Sequence, residues 1–227
     1  MAIGFQAGAL PAGALRSDSR VEVRETAEGW TFEPKQRVAE SGLLFLPGGL
    51  VEPEAYAPLV KQVAEAGYRA RLIRLPMRCA CTTAQKSALE GHLRAVLSAE
   101  SSTKWVLAGH SRGAMLAATF ARDHAAGLGG LALIGTTHPR DFDLSGLPIP
   151  VLKIFGSNDG IASPPAVLAN RHLLPMQTTW QEIDGANHVQ FGYYRHQLGD
   201  HAARISRQQQ QAATLAGLLK LLERVGQ

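Results

Sequence analysis

Apolar and polar residues follow two different periods along this chain. In Arg20–Arg24 and Trp30–Pro34 they alternate on either side of Ala27-Glu28-Gly29, which predicts two antiparallel strands joined by a turn. Beyond residue 40 the pattern changes to short, nearly continuous apolar runs. These are Leu43–Leu46, Ala70–Leu75, Trp105–Ala108, Leu131–Ile134, Val151–Phe155 and Thr179–Ile183. Helical stretches separate the runs, so they predict strands buried on both faces. The fold class is therefore α/β: a mostly parallel central sheet with helices on both faces and antiparallel strands at the N-terminal end.

The helices carry their own signals. Pro53 opens one that Gly67 closes, with Pro58 placed to kink its first turns. Thr83–Ala99 and Arg112–His124 are the next two. The last begins at a capping box of Ser206 and Gln209 and repeats Leu215, Leu218, Leu219 and Leu222 at helical spacing, so Gln208–Gln211 is its polar first turn. Gly135 to Pro150 leaves room for a loop only, which predicts no lid domain. Residues 1–227 read as a single domain with a loosely ordered start through residue 18, where Gly and Pro interrupt the apolar opening. That opening lacks a basic start and is too short to span a bilayer.

Composition removes several function classes. Apolar residues at 45% and charged residues at 19% are ordinary globular values. The net charge of +4 comes from scattered arginines and lysines, with no basic-aromatic stripe, so no nucleic-acid partner is expected. Cys79 and Cys81 are the only cysteines. In an extended segment their side chains point to opposite sides, so the pair is expected reduced, in keeping with a cytoplasmic location. Two cysteines at this spacing make no metal site. No cofactor is expected, and the chain is expected to be a monomer or homodimer.

The candidate chemistry lies in Trp105-Val-Leu-Ala-Gly109-His110-Ser111-Arg112-Gly113. A strand, a Gly-x-Ser-x-Gly turn and a helix in that order hold a serine hydroxyl on a sharp elbow. Gly-x-Ser-x-Gly alone arises by chance in on the order of one chain in ten of this composition, so its surroundings decide. Asp159 and His188 follow in that chain order, each just after an apolar run. A serine hydroxyl needs a base, and His188 in Asp184-Gly-Ala-Asn-His188 is the candidate. Asp159 is expected to orient it, with Asp141, Asp143 and Asp184 as rivals. The charged tetrahedral oxygen needs preorganised donors. The N–H of Arg112 is one, and Pro47-Gly48-Gly49-Leu50 supplies the other from Gly49 or, as the alternative, Leu50.

With Pro47-Gly-Gly49, Val51-Glu-Pro-Glu-Ala-Tyr56, Gly109-His-Ser-Arg-Gly113, Asp159-Gly160 and Asn187-His-Val-Gln-Phe-Gly-Tyr193, the chain resembles the α/β-hydrolase superfamily over roughly residues 20 to 210. It is similar to the small lidless bacterial branch related to dienelactone hydrolases. Ala114 departs from the further glycine of many relatives and is small enough to keep the helix close to the sheet. The resemblance implies cofactor-free hydrolysis of esters or related acyl compounds through an acyl-enzyme on Ser111, Asp159 and His188. Thioesters and lactones are alternative substrates. Acyl transfer through the same residues and non-catalytic binding are the alternative functions. Leu50, Arg78 and His110 are expected beside a small-molecule acyl substrate. Arg74, Arg78 and Arg112 together predict a cationic mouth suited to a carboxylate, unless Glu52 neutralises one of them.

Overall fold

The computed structural model describes residues 4–227. Eight strands form one sheet in the order β1-β2-β4-β3-β5-β6-β7-β8. The hairpin of β1 (Val21–Thr26) and β2 (Gly29–Pro34) pairs Val21 with Pro34 and Thr26 with Gly29. β2 runs antiparallel to β4 (Arg69–Ile73). All further pairings are parallel, through β3 (Ser41–Leu46), β5 (Lys104–His110), β6 (Gly130–Ile134), β7 (Val151–Gly156) and β8 (Thr179–Ile183). The chain leaves β3 toward β4 on one side and returns to β5 on the other. The crevice at the C-terminal ends of β3 and β5 is thus the switch point where open α/β sheets bind ligands.

Both sheet faces are covered, as the continuous apolar runs require. Leu43, Phe45, Val106 and Ala108 pack with α1 (Ala57–Glu65) and with α5 (Arg207–Gly226), through residues such as Leu59, Val63, Leu218 and Leu222. Leu44, Leu46, Trp105 and Leu107 pack on the other face with α2 (Thr83–Ala99) and α3 (Arg112–His124). The short α4 (Pro164–Leu168) follows β7. A tighter helical turn, Pro53–Tyr56, precedes α1, and Pro58 stands in the first turn of α1 instead of kinking it. The Ser206–Gln209 capping box forms, and a second one closes on Thr82 and Gln85. Residues 135–150, between β6 and β7, contain no helix. Among the described residues no helix is long and apolar enough to cross a membrane.

Where a loose start was expected through residue 18, the chain is docked from residue 5 onward; residues 1–3 lie outside the described residues. Phe5 N–H donates to Leu50 O at 2.8 Å and Phe5 O accepts from Glu52 N–H at 2.9 Å. Ala7 N–H donates to Glu52 Oε2 at 2.9 Å, and Gly8 N–H to Tyr193 O at 2.6 Å. The Lys61 ammonium then binds Gly13 O, Arg16 O and the Asp18 carboxylate. These contacts use backbone groups and the side chains of Lys61, Glu52 and Asp18, which leave no periodic trace in a sequence.

Candidate active site

Ser111 stands alone between β5 and α3 with φ 53° and ψ −114°. Its N–H donates to Ile134 O at 2.9 Å, which fixes the end of β5 against β6. A Cβ at Gly109 would overlap the backbone of Gly113, and one at Gly113 would overlap the carbonyls of Leu46 and Pro47. Both glycines are therefore required by the approach of α3 to the ends of β3 and β5. The left-handed backbone at Ser111 costs about 1–2 kcal/mol, strain that the surrounding sheet must hold in place.

The structure brings Asp159 and His188 together in the protein interior, 1% and 0% exposed. Asp159 Oδ2 accepts from His188 Nδ1–H at 2.8 Å. Oδ1 accepts from Ile161 N–H at 2.8 Å and Ala162 N–H at 2.6 Å, so the same side chain also closes a turn. An ionised carboxylate only accepts, which puts the imidazole proton on Nδ1 and leaves the Nε2 lone pair open. Nε2 is buried and has no hydrogen-bond partner among the described residues. Ser111 Oγ makes no hydrogen bond to it. The rival acids are elsewhere: Asp184 is exposed and accepts from Ser157 Oγ, and Asp141 and Asp143 are exposed on the β6–β7 loop.

A second buried carboxylate, missed by sequence reasoning, ties the loops of Asp159 and His188 together. Asp200 Oδ1 accepts from the N–H groups of His188 (3.1 Å), Gly160 (3.1 Å) and His201 (2.9 Å). Its Oδ2 accepts from Val189 N–H at 2.9 Å. Asn158 and Asn187 add side-chain bonds to the carbonyls of Ala202 and His201. Nothing in Leu198-Gly199-Asp200 distinguishes this aspartate from an ordinary loop residue.

In the loop after β3, three successive N–H groups have different fates. Gly48 N–H donates to Tyr56 Oη at 3.1 Å, and Leu50 N–H donates to Arg78 O at 2.7 Å. Gly49 N–H has no partner among the described residues, and neither does Arg112 N–H in the first turn of α3. The two residues touch, since a Cβ on Gly49 would lie 3.0 Å from Arg112 Cβ. Of the two expected donors in this loop, Leu50 is therefore already engaged and Gly49 is open.

Five non-glycine residues have positive φ among the described residues: Leu50, Met77, Arg78, Ala80 and Ser111. All belong to the elbow, the loop after β3, or the turn after β4. The turn corrects the expectation for the cysteines, because Cys79 and Cys81 are joined as a disulfide with Cα atoms 5.1 Å apart. The segment is not extended. Left-handed backbone at Arg78 and Ala80 folds it back, so side chains two residues apart reach one another.

The expected cationic mouth is also corrected. Arg78 pairs with Glu52 at 3.3 Å, and Arg74 pairs with Glu25 at 2.9 Å while lying over the Trp30 ring. The Arg112 guanidinium donates to Cys79 O at 3.3 Å and Ala80 O at 3.1 Å. Two of the three cations are thus paired with carboxylates, and the third is held against the turn after β4 by two backbone carbonyls. His110, expected beside the substrate, is fully enclosed instead. Its Nδ1 lies 2.8 Å from Tyr56 Oη, and its ring packs on that of His188 with centroids 4.5 Å apart. Burial, with the His188 ring beside it, holds its pKa well below the ordinary histidine value, so it is neutral. Among the described residues no group of three His, Cys, Asp or Glu is placed to hold a metal ion.

The family model described as the alpha/beta hydrolase family matches residues 42–212. Solved structures share the fold at low identity. A Klebsiella pneumoniae protein described provisionally as a dienelactone hydrolase is 14% identical, with TM-score 0.63 over 91% of this chain and 99% of its own. A Thermus thermophilus protein is 18% identical, with TM-score 0.62 over 90% and 99%. An alpha-beta serine hydrolase homologue from Coxiella burnetii is 18% identical, with TM-score 0.55 over 76% and 90%. Comparison with curated proteins gives no match.

Proposed function

This chain belongs to the alpha/beta hydrolase family and is a hydrolase, and from that premise we propose that it cleaves small esters through an acyl-enzyme formed on Ser111. The observation that carries the proposal is the buried Asp159–His188 pair, which leaves one imidazole lone pair open beside a serine elbow. Ser111 Oγ attacks the carbonyl carbon while His188 Nε2 takes its proton. Asp159 keeps the imidazole in the tautomer that can do so and stabilises the imidazolium. The open N–H groups of Gly49 and Arg112 meet the developing oxyanion. The imidazolium returns its proton to the leaving alkoxide, and water then releases the acid by the same steps.

The engaged arginines favour neutral acyl substrates over carboxylates, and the helix-free β6–β7 segment favours small substrates over those that need a roofed tunnel. The test is turnover of p-nitrophenyl acetate by the wild type and by Ser111→Ala, together with labelling by a fluorophosphonate. Loss of turnover and of labelling in the variant is expected, by several orders of magnitude in rate. Equal turnover in both proteins refutes the proposal.

A further inference from the structure

Two polar side chains near this site have no part in the steps above, yet the interior is built around them. Tyr56 and His110 are each 0% exposed. Tyr56 Oη accepts from Gly48 N–H at 3.1 Å and shares a hydrogen bond with His110 Nδ1 at 2.8 Å. The pair thereby links the loop after β3 to the residue immediately before the nucleophile.

The space around the pair is filled from four directions. A Cβ on Gly48 would lie 2.7 Å from Tyr56 Oη and 3.2 Å from His110 Nδ1, and one on Gly135 would lie 2.9 Å from His110 Nε2. Phe191 and Tyr194, from the segment that follows His188, lie with ring centroids 5.4 Å and 6.5 Å from the His110 ring. The oxyanion loop, the elbow, the end of β6 and the base loop all meet on this one hydrogen-bonded pair. A purely apolar pair of the same size would pack equally well but would leave the Gly48 N–H without a buried partner.

We propose that Tyr56 and His110 are positioning residues that hold the oxyanion loop: by fixing the Gly48 peptide, they keep the neighbouring Gly49 N–H aimed at the oxyanion. The proposal rests on the acyl-enzyme reading of Ser111. It gives a particular kinetic signature, since an oxyanion donor contributes in the transition state far more than in the Michaelis complex. Removing the Tyr56 hydroxyl should therefore lower kcat and leave KM nearly unchanged.

The experiment compares wild type, Tyr56→Phe, His110→Asn and His110→Leu with p-nitrophenyl acetate, each normalised to active sites titrated with a fluorophosphonate. An alkyl boronic acid, whose adduct with the serine is tetrahedral and anionic, is the second probe. Tyr56→Phe is expected to lose about ten- to a hundredfold in kcat per labelled site, with KM within about threefold, and to weaken boronate inhibition by a similar factor. His110→Asn, whose side-chain amide can hydrogen-bond Tyr56 Oη in place of Nδ1, should keep several-fold more activity than His110→Leu. If Tyr56→Phe fails to fold, the two His110 variants carry the test by the same readouts. Unchanged kcat per labelled site, or a loss of turnover with unchanged boronate affinity, overturns the positioning role. A folded wild type that neither turns over nor takes up the fluorophosphonate overturns the acyl-enzyme reading, and this inference with it.

Discussion

Lys153 sits in the middle of β7, opposite Leu133 of β6 and Trp180 of β8, and is 1% exposed. Its ammonium donates to His138 O, and burial pushes its pKa from 10.5 down to about 7. Lys153→Met keeps the chain as far as Cε and removes the ammonium. A gap of about 3.5 pKa units at about 1.4 kcal/mol per unit gives roughly 5 kcal/mol, an upper bound on what the buried ammonium costs the fold below pH 7. Between about pH 7 and pH 10.5 the unfolded chain keeps a proton that the folded chain has released. The wild type therefore gains stability as pH rises through that window, and the variant does not. Urea unfolding followed by tryptophan fluorescence at about pH 6, 8 and 10 measures both proteins. The variant should be several kcal/mol more stable at the lowest pH, and the difference should shrink by more than half at the highest. There the lost bond to His138 O, about 1 kcal/mol, opposes it. A difference that does not vary with pH, or a variant less stable near pH 6, refutes the reasoning.

Three further outcomes test the site. Asp159→Asn, which can offer an N–H to Nδ1 and so favour the wrong imidazole tautomer, should lower kcat by roughly 10⁴-fold with p-nitrophenyl acetate; a loss under tenfold would remove Asp159 from the mechanism. Asp200→Ala strands four N–H groups, of which those of His188 and Val189 are buried, and should lower both urea stability, by about 3 kcal/mol, and kcat; intact kcat would show that the loop of His188 holds itself. Replacing both members of the pair, Arg78→Gln with Glu52→Gln, leaves the net charge as it was and should leave the ratio of kcat/KM between matched anionic and neutral esters unchanged; a fall in that ratio would restore the cationic mouth.

The parallel strands could be read because burial on both faces leaves continuous apolar runs, and the elbow because steric need fixes both glycines. Ser206 with Gln209 was equally readable, since a capping box is complete within four residues. The turn after β4 was not. Met77, Arg78 and Ala80 adopt left-handed backbone that no local preference of those residues announces, and the cysteine geometry followed from it. Asp200 and Tyr56 were hidden for a different reason: their partners lie 12 residues away at His188 and 54 residues away at His110, across contacts that only the folded sheet creates. Arg74 and Arg78 misled because formal charge does not say which carboxylate a guanidinium meets in the fold.

The docking of the first described residues bears on how the protein can be handled. Phe5 is stitched to Leu50 and Glu52, and Gly8 to Tyr193, so one short segment touches both the loop after β3 and the segment that follows His188. A purification tag or fusion partner joined to that segment should load both of these loops, whereas one appended after α5 should not. Trimming residues 4–8 should show itself as slower turnover before it shows itself as a lower melting temperature, because the sheet keeps its strands while the two loops lose their common tether.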